Sequence, residues 1–171
     1  IGASTTALYY VSFKLVRNEE GNITKQFFTA FRSNFKKATL IWLPLLGLGI
    51  LFGIDGYVLY HIRLENVFWT LCGAVLICAG VVYLIVLLNV FPLFARFENT
   101  IPATFKNALV MGLRYLFCSI LMAVVYFVIY YVIINIFTPF VVFGQGLGAL
   151  ICSWLILPIL ERLENNKDDV L

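Results

Sequence analysis

The chain has 171 residues, of which 62% are hydrophobic and 12% charged, with a mean hydropathy of +0.96 and a formal net charge of +3. Soluble domains carry roughly 25% charged residues, so a water-soluble fold is excluded: it would have to place many Phe, Ile and Leu side chains in water. The basic residues are spaced among apolar segments and form no massed phosphate-binding face, which excludes a nucleic-acid partner.

The first stretch, Ile1 to Phe13, is apolar but too short to cross a bilayer. Residues 3–17 are expected to be helical and to stop near Asn18, with Lys14 and Arg17 in the last turn, where cations suit a helix carboxyl end. The segment 1–17 is therefore either a short helix packed at the interface or the end of a span that begins earlier. The chain opens at Ile1 without Met, which predicts a piece of a longer product, and no signal-peptide pattern is visible. Gly21 breaks the pattern, and Asn22 is a candidate N-cap for the next helix.

Residues 22–37, NITKQFFTAFRSNFKK, place Ile23, Phe27, Phe28, Phe31 and Phe35 on one helical face and Lys25, Thr29, Arg32, Ser33 and Lys36 on the other. A charge-free run of 17 residues begins at Ala38. The expectation is an amphipathic interfacial helix over 22–37 leading into a first span over about 38–57. Pro44 is expected to kink that span, and Gly49 and Gly53 form a GxxxG pair suited to close helix packing. Asp55 falls at the far membrane surface, and the loop beyond it carries His61, Arg63 and Glu65.

A second span covers about 67–95, which hold no charge, with Pro92 as the expected bend. Thr100 is a candidate cap for a helix beginning at Ile101 and ending near Arg114, with Pro102 in its first turn. From Tyr115 to Leu160 there are 46 residues without a charge, twice the length of a span. A hairpin of spans over about 115–135 and 139–160 is required, turning at NIFTPF, with tyrosines such as Tyr126, Tyr130 and Tyr131 as an aromatic belt. Gly144, Gly148 and Cys152 form a small-residue face in the last span. The tail 161–171 is polar and expected to fray.

Orientation is read from the cations. Six lie between Lys14 and Lys37, three between Arg96 and Arg114 and two in the tail, against Arg63 alone in the other loops. This asymmetry predicts that the amphipathic helix, the Arg96 connection and the C-terminus are cytoplasmic. SNFKKA at 33–38 and ATFKNA at 103–108 match at Phe, Lys and Ala, which is either coincidence or the mark of two parallel repeats.

No catalytic set is visible, since there is no HExxH, no GxSxG, no phosphate-binding glycine loop and no facing carboxylate pair. Cys72, Cys78, Cys118 and Cys152 lie inside apolar runs without metal-ligand spacing, so they read as small packing residues, and neither a metal nor another cofactor is expected. Arg96 and Glu98 either mark the membrane surface or join Lys14, Arg17, Arg32 and Lys36 in a cytoplasmic docking or binding surface. The glycines Gly49, Gly53, Gly144 and Gly148 are the candidate helix-packing positions.

Three stretches, GASTTALYYVSFKLVRNEEG, FFTAFRSNFKKATLIWL and FPLFARFENT, together resemble the YesL family of bacterial membrane proteins, common in Firmicutes. The resemblance implies one further hydrophobic segment before the GAST motif and about five spans in all. It also implies a link with carbohydrate ABC importers, because genes of that family often lie beside theirs. The fold class expected is all-α: a polytopic transmembrane helix bundle with a cytoplasmic-side amphipathic helix, forming a single domain over 1–171 in a bacterial cell membrane. Its partners are then the lipid bilayer and carbohydrate ABC-importer subunits, and its role that of a non-enzymatic accessory. The alternative is a small-solute carrier or channel, for which Asn89, Asn107, Asn135, Gln145 and Ser153 are the few candidate polar path residues. A membrane-embedded enzyme comes third.

Overall fold

The computed structural model describes residues 1–19, 21–61, 67–97, 100–135 and 141–168. The described residues form six helices: α1 Gly2–Val16, α2 Ile23–His61, α3 Val67–Arg96, α4 Ile101–Arg114, α5 Leu116–Asn135 and α6 Val141–Asp168. Four of them, α2, α3, α5 and α6, are long and apolar enough to cross a membrane. The protein is an all-α, multi-pass membrane bundle.

Helix α1 supplies a large share of the core: Gly2, Ala3, Thr6, Ala7, Tyr9, Val11, Ser12 and Phe13 are all buried. Its first two turns are built from small residues, so neighbours approach closely. A Cβ added at Gly2 would lie 2.7 Å from the Trp42 Cβ and 2.8 Å from the Ala38 carbonyl oxygen. The hydroxyls there are satisfied within the helix: Ser4 and Thr5 donate to the Ile1 carbonyl, and Thr6 donates to that of Gly2 at 3.0 Å. One face of α1 is thus covered by the other helices of the bundle.

The exit from α1 is a Schellman stop. Asn18 is left-handed with φ 55°, its N–H reaches the Leu15 carbonyl, and the Glu19 N–H reaches that of Lys14. Asn22 Oδ1 then accepts from the Lys25 N–H at 3.3 Å and caps α2. The result is a helical hairpin with Gly2 at the level of Ala38 and Trp42.

Helix α2 differs from expectation. No boundary falls at Lys37–Ala38; 39 residues, about 58 Å, run as one helix through Pro44. The change from charged to apolar residues is a change of surroundings, and nothing in the local backbone chemistry stops the helix there. Its buried residues, Ala30, Ala38, Ile41 and Leu45, lie on one stripe against the bundle. Beyond Leu45 in α2, and before Ile85 in α3, no described residue is buried. These two half-helices form an apolar arm whose surface suits lipid.

Gly49 and Gly53, the GxxxG pair, have different surroundings. A Cβ at Gly53 meets nothing within 4 Å, whereas one at Gly49 would lie 2.7 Å from the Tyr83 hydroxyl. Gly49 makes room for Tyr83 to donate to the Leu45 carbonyl at 2.9 Å. In the last helix the small face is close-packed: Gly144 and Cys152 are buried, and a Cβ at Gly148 would stand 3.0 Å from Tyr126 and 3.1 Å from Ile129.

Helix α3 continues through Pro92, with residues 89–94 all buried. Thr100 stands at the α4 N-cap in extended geometry but makes no side-chain cap bond; only its carbonyl serves the helix, accepting from the Thr104 N–H at 2.9 Å. The α4–α5 corner at Tyr115 is tied to α3 by a buried relay. Asn89 Nδ2 donates to Ser119 Oγ at 2.9 Å, and Ser119 donates to the Gly112 carbonyl at 3.2 Å. In the SNFKKA and ATFKNA segments both alanines, Ala38 and Ala108, are fully buried, but α2 runs on whereas α4 ends at Arg114. The NIFTPF turn after Asn135 and the loop carrying Arg63 and Glu65 lie outside the described residues.

Replacing Gly148 by Leu is expected to destabilise the purified protein in detergent by about 1–3 kcal/mol, because the branch collides with Tyr126 and Ile129. Leu147→Ala, at a 44% exposed position, and Gly53→Ala, in open space, are expected to leave the thermal midpoint unchanged or, for Gly53, slightly raised. Thermal unfolding of the three variants beside the wild type checks this order.

Candidate functional site

Three features concentrate polar chemistry on this apolar bundle. The first is a set of ion pairs joining the ends of α1, α3 and α6. The Arg17 side chain donates through Nε at 3.2 Å and Nη2 at 3.0 Å to one oxygen of Glu161. Arg96 Nη2 donates to Glu164 Oε2 at 2.6 Å. Glu161 and Glu164 are three residues apart, so they share a face of α6 and reach two different helices. Glu19 lies 3.5 Å from Arg17 and 3.7 Å from Lys14, and the Lys14 ammonium also sits over the Tyr10 ring.

Of the tail 161–171, residues 161–168 continue α6, with the carboxylates of Glu161 and Glu164 held by Arg17 and Arg96, and 169–171 lie outside the described residues. Of the residues expected to form one docking surface, Lys14, Arg17 and Arg96 are engaged in these internal pairs. Glu98 lies outside the described residues. Glu161 and Glu164 were missed from the sequence; their three-residue spacing was the one available signal.

The second feature is the polar face of the first turns of α2. Lys25, Arg32 and Lys36 are exposed, and among the described residues no carboxylate pairs with any of them. Lys25, Thr29, Arg32 and Ser33 outline a shallow concavity beside Phe28. On the opposite face Phe27 and Phe31 stack at 6.4 Å and are half-buried, while Phe28 and Phe35 remain 63% and 49% exposed. The apolar face expected for an amphipathic helix is thus only half covered by protein.

The third feature is a groove of about 600 Å³ between α3 and α5, floored by α1 and bounded at one end by α6. Leu84, Leu88, Phe91, Ala123 and Phe127 make its walls. Its polar atoms are all uncharged. The Tyr9 and Tyr126 hydroxyls meet at 3.0 Å, and Gln145 Nε2 donates to the Tyr130 hydroxyl at 3.0 Å. Among the described residues no charged side chain lines it.

Elsewhere the candidate path residues are separated. Asn89 is bonded to Ser119, Asn135 to the Tyr131 carbonyl of its own helix, and Ser153 is buried with its hydroxyl unpartnered. Among the described residues no group of three His, Cys, Asp or Glu stands close enough to hold a metal ion. The four cysteines are free thiols, and Cys118 donates weakly to the Leu155 carbonyl.

A family model described as a protein of unknown function, DUF624, matches residues 1–56, the α1–α2 hairpin up to the outer part of α2. No curated protein and no solved structure matches the chain.

The pairs at the helix ends are partly solvated, with side-chain exposures of 27% and 45% for Arg17 and Glu161, so each is expected to couple by about 1 kcal/mol. Arg17→Glu should lower stability in detergent, and adding Glu161→Arg should recover most of the loss. A double-mutant cycle on thermal unfolding measures this coupling.

Proposed function

We propose that this membrane protein is a non-enzymatic accessory or assembly partner in carbohydrate uptake, docking through the cationic face of α2. The supporting observation is the division among its basic residues. Arg17 and Arg96 are neutralised inside the chain, whereas Lys25, Arg32 and Lys36 are presented without an acidic partner among the described residues. A surface of this kind favours an acidic patch on a partner subunit and fixes register more than it adds affinity. The carbohydrate link comes from the resemblance to the YesL family, whose genes often lie beside those of carbohydrate ABC importers. The basic asymmetry puts this face, and the C-terminus, on the cytoplasmic side of a bacterial cell membrane.

The reading as a small-solute carrier is less well supported. A carrier for polar solutes needs convergent polar groups along one path, and here Asn89, Asn135 and Ser153 serve separate places in the bundle. The groove between α3 and α5 is walled by apolar side chains.

Reversal of two charges, Arg32→Glu with Lys36→Glu, is expected to abolish co-purification of importer subunits while the variant stays monodisperse. A pull-down from membranes beside the wild type is the test. A well-folded double variant that retains every partner overturns the docking reading and leaves α2 as a lipid-seated helix.

A further inference from the structure

The groove between α3 and α5 has a chemistry of its own, independent of the α2 face. We propose that it is a lipid site: one acyl chain of an uncharged glycerolipid lies along the groove, with the ester and headgroup oxygens at Gln145 and Tyr130.

Size selects a chain over a helix. A methylene takes up about 30 Å³, close to the share of one water molecule in the liquid, so a chain of about 18 carbons occupies most of the 600 Å³. A spanning helix about 10 Å across and about 30 Å long is several times too large. Leu84, Leu88, Phe91, Ala123 and Phe127 give the chain an apolar bed.

Charge selects the class of lipid. With no cation among the described lining residues, a phosphate drawn into the groove would lose hydration without an ionic partner, which is costly. Lys25 and Arg32 lie on α2, a different surface, and Arg17 and Arg96 are already paired.

Depth and hydrogen bonding select where the polar end sits. Gln145 is four residues into α6, about 6 Å from its start, and Tyr130 is five residues before the end of α5, about 7.5 Å from it. Both therefore lie toward the same end of the α5–α6 pair, nearer a membrane surface than the middle of the span. The Gln145–Tyr130 bond uses one amide proton. The second amide proton and the Tyr130 proton are then available to an ester carbonyl, and Gln145 Oε1 to a headgroup hydroxyl. A diacylglycerol-type headgroup offers both. One turn deeper, the Tyr9 and Tyr126 hydroxyls bond to each other at 3.0 Å.

Native mass spectrometry of the full chain in detergent, with equal dioleoylglycerol and dioleoylphosphatidylglycerol, tests the site. The expected result is a retained dioleoylglycerol adduct on the wild type in preference to the anionic lipid. Gln145→Leu should weaken that adduct about fivefold, the loss of a neutral hydrogen bond. Val124→Trp, at a 51% exposed rim position of the groove, should remove it. Both positions are exposed, so folding is preserved. Equal retention of the two lipids, preference for the anionic one, adducts unchanged in both variants, or a lipid-free dimer closed over the groove would each overturn the proposal.

Discussion

The helix α1 packs in the interior of this bundle, and the arrangement of the other helices depends on it. Close approach of α1 to α2 requires that Gly2 present no side chain to Ala38 and Trp42. Large side chains on the later turns, Tyr9 and Phe13, then fill the space that α3, α5 and α6 enclose. A buried helix in an apolar medium must also satisfy its own polar groups. The Ser4, Thr5 and Thr6 hydroxyls do so by bonding back to the Ile1 and Gly2 carbonyls.

From that interior helix the polar connections run outward in two directions. Toward one end, Arg17 and Arg96 are drawn onto adjacent carboxylates of α6, which locks the ends of three helices and keeps α6 helical through residues that read as a polar tail. Toward the other end, the hydroxyl pair of Tyr9 and Tyr126 and the Gln145–Tyr130 bond line a groove that opens between α3 and α5. The Asn89–Ser119–Gly112 relay holds the α4–α5 corner against α3. The outer halves of α2 and α3 hold no buried residue among those described, and most of their exposed side chains are apolar.

Composition and run length were enough to read the membrane class from the sequence, because a long charge-free segment has few other stable environments. The Asn18 stop and the Asn22 cap were legible too, since both are local backbone chemistry. What was not legible depends on distance along the chain. Arg17 meets Glu161 across 144 residues and Arg96 meets Glu164 across 68, and no periodicity encodes such a pairing. Gly49 illustrates the same limit: its spacing to Gly53 suggested a helix–helix contact, and its partner, the Tyr83 side chain of α3, could not be read from that spacing. Position inside the bundle was the hardest property to see. The composition of α1 resembles that of an interfacial segment, and only its neighbours make it central.

The burial of α1 can be read directly by amide hydrogen exchange of the purified protein in detergent micelles. Backbone amides deep in a cooperative core exchange only on global opening, whereas those of a peripheral helix exchange by local fraying. With α1 at the centre, the amides of residues 6–13 exchange as slowly as those of the buried stretch of α6 around Cys152 and Ile156. Exchange of residues 6–13 as fast as that of Asn18 and Gly21 in the adjoining turn would contradict it, and with it the placement of α1 inside the bundle.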